Sequence, residues 1–443
     1  MIMLSYFPGI KQSMNTMLQV IRRMKRSVKW YTGWIIVIVS GLITCLSVGV
    51  RLGTGPFFKP ILADFHFSRE LLSLMVSVSL LLYGLAMPLA GTLVDRFGTR
   101  NVLLLGALLV TGSMFWTAYT ESTIQFFLAF SIFLSFGLAF TSQITLTPIV
   151  SRWFTRRRGL ALTVLISGAM AGIGIMTPLS TWLIQTFGWR NCMLFLGLVF
   201  LLLIIPAAIF VLRDEVPDEW RAYEPLPANP SKPSQVSPDG MQQWTTALGT
   251  RAFWQLSFGL FACGFSMNLL GSHGVPMLTD HGFGEMEAAN GIGLIGLVAI
   301  VSSILIGILS DHIPRKYLLA LIYFVRGIGF FSLVTVSSTA GLYAVAIIGG
   351  LVWAGSTSMT SAIIGDLYGI RWVGTLYGLS YLFHQIGAAI AAYLGGWGYE
   401  AFHTHALSFG TAGVLLLLAS VVSLTVPKSS RERLPAAASP KPS

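Results

Sequence analysis

An α-helix rises 1.5 Å per residue, so about 20 predominantly apolar residues cross a ~30 Å hydrocarbon core, and this chain carries stretch after stretch of that length. Twelve, separated by polar punctuation, run approximately 33 to 57, 72 to 93, 102 to 119, 123 to 149, 160 to 186, 191 to 212, 252 to 279, 289 to 310, 317 to 337, 340 to 364, 374 to 396 and 405 to 426. Only 10% of the residues are charged, against roughly 25% in a soluble domain, which excludes a water-soluble fold. Glycine supplies 46 of 443 residues, above the usual share of about 7%; small residues let membrane helices bring their backbones together. The expected fold is an all-α polytopic membrane protein.

The net charge of +11 is read from where the charges lie. With both termini in the cytoplasm, 23 of the 28 Lys and Arg fall on the cytoplasmic face, in the N-terminal arm, the tail, the central linker and alternate loops. That bias is the positive-inside signal. It predicts a multi-pass protein of the cytoplasmic (inner) membrane with both termini inside, and makes anionic lipid rather than nucleic acid the partner of the basic residues. Residues 1–29 lack an apolar core followed by a small-residue cleavage site, so they read as a basic arm and the first span as its own uncleaved insertion signal. Met14, Met17 and Met24 are alternative starts. Cys45, Cys192 and Cys263 have no paired spacing, so no disulfide, metal or other cofactor is expected.

Residues 213–250 carry six prolines and many of the acidic residues, and read as a flexible linker. It parts six spans (30–212) from six more (251–426), with 427–443 as a tail. The halves resemble each other at a constant offset. Pro60, Leu62, Asp64 and Phe67 recur 216 residues later as Pro276, Leu278, Asp280 and Phe283. At the same offset, Gly91-Thr-Leu-Val-Asp95-Arg96-Phe97-Gly98-Thr99-Arg100 faces Gly307-Ile-Leu-Ser-Asp311-His312-Ile313-Pro314-Arg315-Lys316. Twelve transmembrane helices in two pseudo-symmetric six-helix bundles follow, with a site near the midplane between them.

The Gly-x-Leu-x-Asp-Arg-x-Gly-x-Arg loop resembles the signature of the major facilitator superfamily, and the resemblance spans Gly33 to about Val426. The stretch Arg152-Trp-Phe154-Thr-Arg-Arg-Arg158-Gly159-Leu-Ala161 with Gly168, Gly172 and Gly174, and Asp366-Leu-Tyr-Gly369 with Gly374-Thr-Leu-Tyr377-Gly378, resemble its monocarboxylate and oxalate/formate branch. Where animal monocarboxylate transporters carry Asp and Arg on the eighth span, this chain has Ala299 and Ser303. Their first-span Lys falls on Leu52, beside Arg51, and the oxalate/formate exchanger's eleventh-span Lys falls on His384. The resemblance implies a secondary transporter. It also implies that Gly91, Asp95, Arg96, Gly98 and Arg100, with Gly307, Asp311, Arg315 and Lys316, latch helices at the cytoplasmic face when the protein faces outward, Asp95 accepting from helix N-terminal donors or arginine.

None of the seventeen Asp and Glu lies inside the twelve stretches. An interior that is positive or neutral favours an anion, whose charge offsets a buried cation. Ionisable residues at membrane depth are functional candidates. His384 lies ten residues into its span, near mid-membrane, and imidazole gains and loses a proton near neutral pH, so it is assigned substrate contact and proton coupling. Arg51, Arg326, Asn268 and His273 are further substrate-binding candidates, the last two beside Gly264, Gly271, Gly274 and Pro276 on a span expected to be interrupted. Gln143 and Tyr381 complete the set as polar cavity groups.

No metal-ligand spacing, Walker-type loop or nucleophile triad occurs, so neither catalysis nor ATP-driven transport is expected. The sequence reads as a monomeric transporter of a small organic anion, a mono- or dicarboxylate, by proton symport or anion exchange. The rivals are an exporter of hydrophobic or amphipathic compounds and, remotely, a non-transporting membrane sensor.

Overall fold

The computed structural model describes residues 32–154, 157–216, 245–369 and 372–427. The basic arm, Arg156, Arg371, most of the linker and residues 428–443 of the tail lie outside the described residues.

No strand occurs among the described residues. Spans 1 to 6 are Thr32–Leu52, Arg69–Phe97, Thr99–Ala118, Thr123–Trp153, Arg158–Phe187 and Trp189–Val211. Spans 7 to 12 are Arg251–Asp280, Glu285–His312, Arg315–Thr335, Thr339–Tyr368, Val373–Phe402 and Ala406–Leu424. Eleven of these are long and apolar enough to cross a membrane. Span 11 is 30 residues long but less apolar, because it carries His384, Gln385 and four tyrosines.

Several helices run further than the apolar stretches that seed them. Glu70, Asp95, Glu285, Glu287, Asp366 and Glu400 lie on helices, yet only in their terminal turns. Single glycines make the tightest joins: Gly98 between spans 2 and 3 has φ +80°, and Gly188 between spans 5 and 6 has φ +82°. Any side chain there is strained.

Three departures from straight helices matter for function. Span 1 ends at Leu52, and after Gly53 and Thr54 a short helix, Gly55–Phe65, begins with Pro56 in its first turn, where a missing N–H costs nothing. Span 4 contains a π-helical segment, Phe127–Phe133, and then breaks at Thr141 and Ser142 between Leu134–Phe140 and Gln143–Trp153. Span 10 breaks at residues 352–354, between Thr339–Leu351 and Gly355–Tyr368. Span 7, expected to be interrupted, is one unbroken helix of 30 residues. Its glycines serve close approach instead: a Cβ on Gly264 would stand 1.8 Å from the His384 carbonyl oxygen, and one on Gly271 would stand 2.8 Å from that of Leu52.

Each half buries its own apolar core, with spans 2 and 11 and spans 5 and 8 packed across the divide. A Cβ on Gly293 of span 8 would meet the Gly174 carbonyl of span 5 at 2.8 Å, and Gly84 of span 2 faces Gln385 of span 11. The two bundles are joined unevenly. At the face away from the linker, Asp280 takes Lys59 and Arg69, the Tyr393 hydroxyl donates to Glu70 Oε1 at 2.6 Å, and Gln185 donates to Glu285 at 3.0 Å. At the linker face, glycines 91, 159, 307, 374 and 378 have open space where a Cβ would stand. The cross-bundle pairs close the face away from the linker.

Candidate functional site

Arg51 stands in the last turn of span 1, just before the break, and reaches across to the other bundle. Its Nη1 donates to Asn268 Oδ1 on span 7 at 3.2 Å, and its guanidinium lies over the Tyr83 ring of span 2, 4.8 Å from the centroid. Its Nε is buried with no hydrogen-bond partner. Asn268 is oriented from within its own helix, since Nδ2 donates to the Gly264 carbonyl at 2.9 Å. The cation is therefore met by a neutral amide and an aromatic face.

His384 follows from the same packing. Gly264 and Gly387 let spans 7 and 11 touch backbone to backbone, which holds the imidazole beside span 7. The ring is 2% exposed and stacks on Tyr381 at 4.6 Å with 8° between the planes; its Nδ1 lies 3.3 Å from Gln385 Oε1. The Tyr381 hydroxyl stands within electrostatic reach of Arg51 and Tyr83. Arg51, Asn268, Tyr381 and His384, singled out from sequence, thus form one group. Tyr83 joins them, and nothing in its sequence context marked it.

The broken spans add backbone charge. A helix N-terminus carries partial positive charge from unsatisfied N–H groups. The second half of span 4 starts at Gln143 and the second half of span 10 at Gly355, equivalent spans of the two bundles, and both half-helices begin within the membrane. Half-helices of this kind point their N-termini at anionic groups. Ser47 Oγ donates to the Thr141 carbonyl at 3.1 Å and bonds its hydroxyl at 2.9 Å, holding the break in span 4. The Tyr83 hydroxyl faces Ser142, whose own Oγ is buried without a partner. Gln143, half-buried, is the first residue of its half-helix. Every Asp and Glu among the described residues lies in a loop or a terminal helical turn, so no acidic residue stands inside the membrane beside this group.

Two candidates have other partners, though Arg326 shares Cys263 with His384. Arg326 is 2% exposed and closes the break in span 10: Nη2 donates to the carbonyls of Val352, at 3.1 Å, and Trp353, while Nη1 meets Cys263 Sγ at 3.3 Å. It satisfies the negative end of the preceding half-helix, while its Nε is buried without a partner. His273 lies in the outer contact between bundles, with Nε2 2.9 Å from the Ala392 carbonyl and 3.4 Å from Ser73 Oγ, edge-on to Phe58 at 4.8 Å. It is not brought to the Arg51 group, because Gly395 draws span 11 over it.

The loop residues Asp95, Arg96 and Arg100 are exposed at the linker face. The carboxylate accepting the first N–H groups of span 3 belongs to Asp214, from Thr99 N at 3.1 Å and Arg100 N at 3.3 Å, with Arg152 at 3.4 Å. Asp95 itself is exposed in this arrangement. In the second half, Arg315 pairs with Asp366, and Lys316 Nζ donates to the Leu424 and Val426 carbonyls at 3.3 and 3.1 Å. Nothing is described of the Asp311 side chain.

Sequence reasoning passed over the outer cluster, although the repeat contained its signal. Asp64 accepts from Trp189 Nε1 and Arg190 Nε, each at 3.0 Å, within one bundle. Its counterpart Asp280 accepts from His405 of its own bundle at 2.9 Å, and from Lys59 and Arg69 of the other, each at 2.7 Å.

Comparison with known proteins places this architecture. The family model described as Major Facilitator Superfamily matches residues 37–356 and 293–442. An uncharacterised MFS-type transporter of Bacillus subtilis, YcxA, is 26% identical over 83% of this chain and 88% of its own length. Human monocarboxylate transporter 11 is 25% identical over 90% of this chain and 83% of its own. Among solved structures, a bacterial homologue of the human lysosomal transporter Spinster, inward-facing and unoccupied, superposes with a TM-score of 0.69 at 16% identity, over 90% of this chain and 97% of that one.

Proposed function

The chain belongs to the major facilitator superfamily, and from that premise we propose that it is a secondary active transporter of a small organic anion, a carboxylate, working by alternating access. The observation that carries this reading is Arg51. It bridges the two bundles to a neutral Asn268 partner and lies over Tyr83, which faces the break in span 4, in an interior with no carboxylate among the described residues. A buried cation without an anion is costly. A carboxylate from the substrate supplies the missing charge, accepts from the free Nε of Arg51, and competes with Asn268 for Nη1. Because the site draws on both bundles, its occupancy bears on how they sit against one another.

The basic bias assigns the linker face to the cytoplasm, which makes the arrangement described above the inward-facing one. Closure of that face brings the Gly91–Arg100 and Gly307–Lys316 loops against their neighbours as the latch, and requires the Asp280 contacts at the outer face to part. No bond is made or broken in the cycle, and the protein works as a monomer. Coupling is proton symport through His384 or exchange against an internal anion.

Purified protein in liposomes, offered labelled mono- and dicarboxylates with and without a pH gradient or internal anion, tests this. Uptake driven by an inward proton gradient and uncoupled by His384→Ala selects symport; uptake that needs internal anion selects exchange. If no anion moves, or if Arg51→Gln leaves the apparent KM unchanged, the anion reading falls. Movement of a hydrophobic cation in its place establishes the exporter.

A further inference from the structure

The two halves set an N–H donor on the same carboxylate, and only one of the two donors titrates. At the 216-residue offset of the repeat, Asp64 and Trp189 of the first half correspond to Asp280 and His405 of the second. Trp189 Nε1 donates to Asp64 Oδ2 at 3.0 Å, and His405 Nε2 donates to Asp280 Oδ2 at 2.9 Å. The next position carries Arg190 in the first half, which donates to Asp64 within its own bundle, but Ala406 in the second. The cations of the second half come instead from the first bundle. Arg69 Nη1 meets Asp280 Oδ2 at 2.7 Å, the same oxygen that His405 uses, and Lys59 Nζ meets Oδ1 at 2.7 Å.

His405 stands in the connection between spans 11 and 12; its side chain is 2% exposed, and its Nδ1 is buried without a partner. Span 7 brings to it Asp280 and, at 6.2 Å between ring centroids, His281. Span 11 brings Tyr399, whose ring lies 4.5 Å away and carries Arg69 3.7 Å over it. Lys59 and Arg69 face the imidazole across Asp280, and His273 is within electrostatic reach deeper in the bundle contact. Glu70 and Glu400 are engaged elsewhere, Glu70 Oε1 by the Tyr393 hydroxyl and Glu400 Oε2 by the Glu70 N–H. One anion thus serves two fixed cations and the imidazole. Burial holds His405 below the ordinary imidazole range, with Asp280 opposing and Arg69 and His281 assisting; each acts on the charged form.

We propose that His405 is a proton-operated release for the face away from the linker, so that an acidic medium at that face favours its opening. The inference rests on the alternating-access reading above and not on the substrate; with the linker face cytoplasmic, the medium concerned is the external one. An imidazolium competes with Arg69 for Asp280 Oδ2 and sets a third cation beside one carboxylate. Contacts within the second bundle gain, and those across the divide lose. Opening admits water to Nδ1 and withdraws Lys59 and Arg69, while Asp280, on the same bundle as His405, stays. The open state therefore binds the proton more tightly than the closed one, and by linkage a falling pH favours it. The closed face keeps its full advantage above the ordinary imidazole value of about 6.5. Below that value it loses up to about tenfold per pH unit, the limit for a single proton. In the first half the indole of Trp189 holds its carboxylate at every pH.

Spin labels at Ala63→Cys and Ala401→Cys, in opposite bundles, read the opening as a longer distance in pulsed dipolar spectra at pH 7.5, 6.5 and 5.5. The ratio of long to short distances is expected to rise by up to about tenfold from the first pH to the last, with His281→Gln behaving like the parent. His405→Gln keeps an N–H donor for Asp280 and cannot titrate, so its distances are expected to be the same at all three values. A parent protein whose distances ignore pH, or a response that survives in His405→Gln, overturns the inference; the parent series decides it even where the variant misfolds. Asp280→Asn distinguishes this failure from that of alternating access. Long distances in Asp280→Asn with no pH response in the parent leave alternating access standing without the inference, and long distances in neither remove both.

Discussion

Replacing one carboxylate should move the whole transporter. Asp280 holds the face away from the linker shut by taking Lys59 Nζ at 2.7 Å and Arg69 Nη1 and Nη2 at 2.7 and 3.4 Å, all from the other bundle. Its side chain is 13% exposed and those of Lys59 and Arg69 are 35% and 23% exposed, so the pairs lie between two regimes. Exposed pairs contribute about 0.2–1 kcal/mol, and hydrogen bonds to charged groups about 1.5–3 kcal/mol. Asp280→Asn keeps an acceptor but removes the charge, and Arg69 keeps its place 3.7 Å over the Tyr399 ring. A net loss of about 2 kcal/mol from the closed outer face is therefore expected, a shift of about 30-fold toward the state with that face open. Spin labels at Ala63→Cys and Ala401→Cys, exposed positions in opposite bundles, would report it as a second, longer distance in pulsed dipolar spectra. Asp64→Asn is the control, because the Trp189 and Arg190 partners of Asp64 lie in its own bundle and their loss leaves the distance alone. An unchanged distance in Asp280→Asn, or an equal change in Asp64→Asn, would refute the assignment of this cluster as the outer latch.

Three further outcomes follow from the same contacts. Arg51→Gln removes a charge-assisted contact of about 1.5–3 kcal/mol and should raise the apparent KM for the transported anion between about 10- and 150-fold, with thermal stability within a few degrees of wild type. Arg326→Gln should act the other way: the Val352 and Trp353 carbonyls lose their donor, each unsatisfied group costs about 1–3 kcal/mol, and the melting temperature in detergent falls while apparent affinity holds. Gly264→Ala places a methyl group 1.8 Å from the His384 carbonyl oxygen, so spans 7 and 11 must separate. Uptake should collapse in a protein that still inserts, whereas Gly349→Ala, with open space around it, should be silent in both assays.

The legible part of the site was chemical. Arg51, Asn268, Tyr381 and His384 stood out because a polar or ionisable side chain at membrane depth is rare and costly, and that cost is a property of the residue and its place along the helix. Depth does not give direction around the helix. Arg326 and His273 meet the same criterion as Arg51, but one turns to the carbonyls of a broken span and the other to the carbonyl of Ala392. Span 7 looked interrupted because its glycines and proline were read as breakers, when three-dimensional packing uses the glycines as contact points. The break in span 10 sits between Gly349-Gly350 and Gly355, the same glycine signal that misled in span 7, whereas the break at Thr141 and Ser142 in span 4 has no flanking glycine or proline.

Twelve helices, two related halves and an interior poor in carboxylates are consequences of sequence alone, because hydrocarbon tolerates few charges and every helix satisfies its own backbone. Which cation bridges the two bundles, which carboxylate joins them at the face away from the linker and where a cavity opens behind Arg51 were decided only by the tertiary structure. Those outcomes depend on side chains from four or more helices arriving at one point, and the interval between them along the chain, 217 residues from Arg51 to Asn268, contains no record of that meeting.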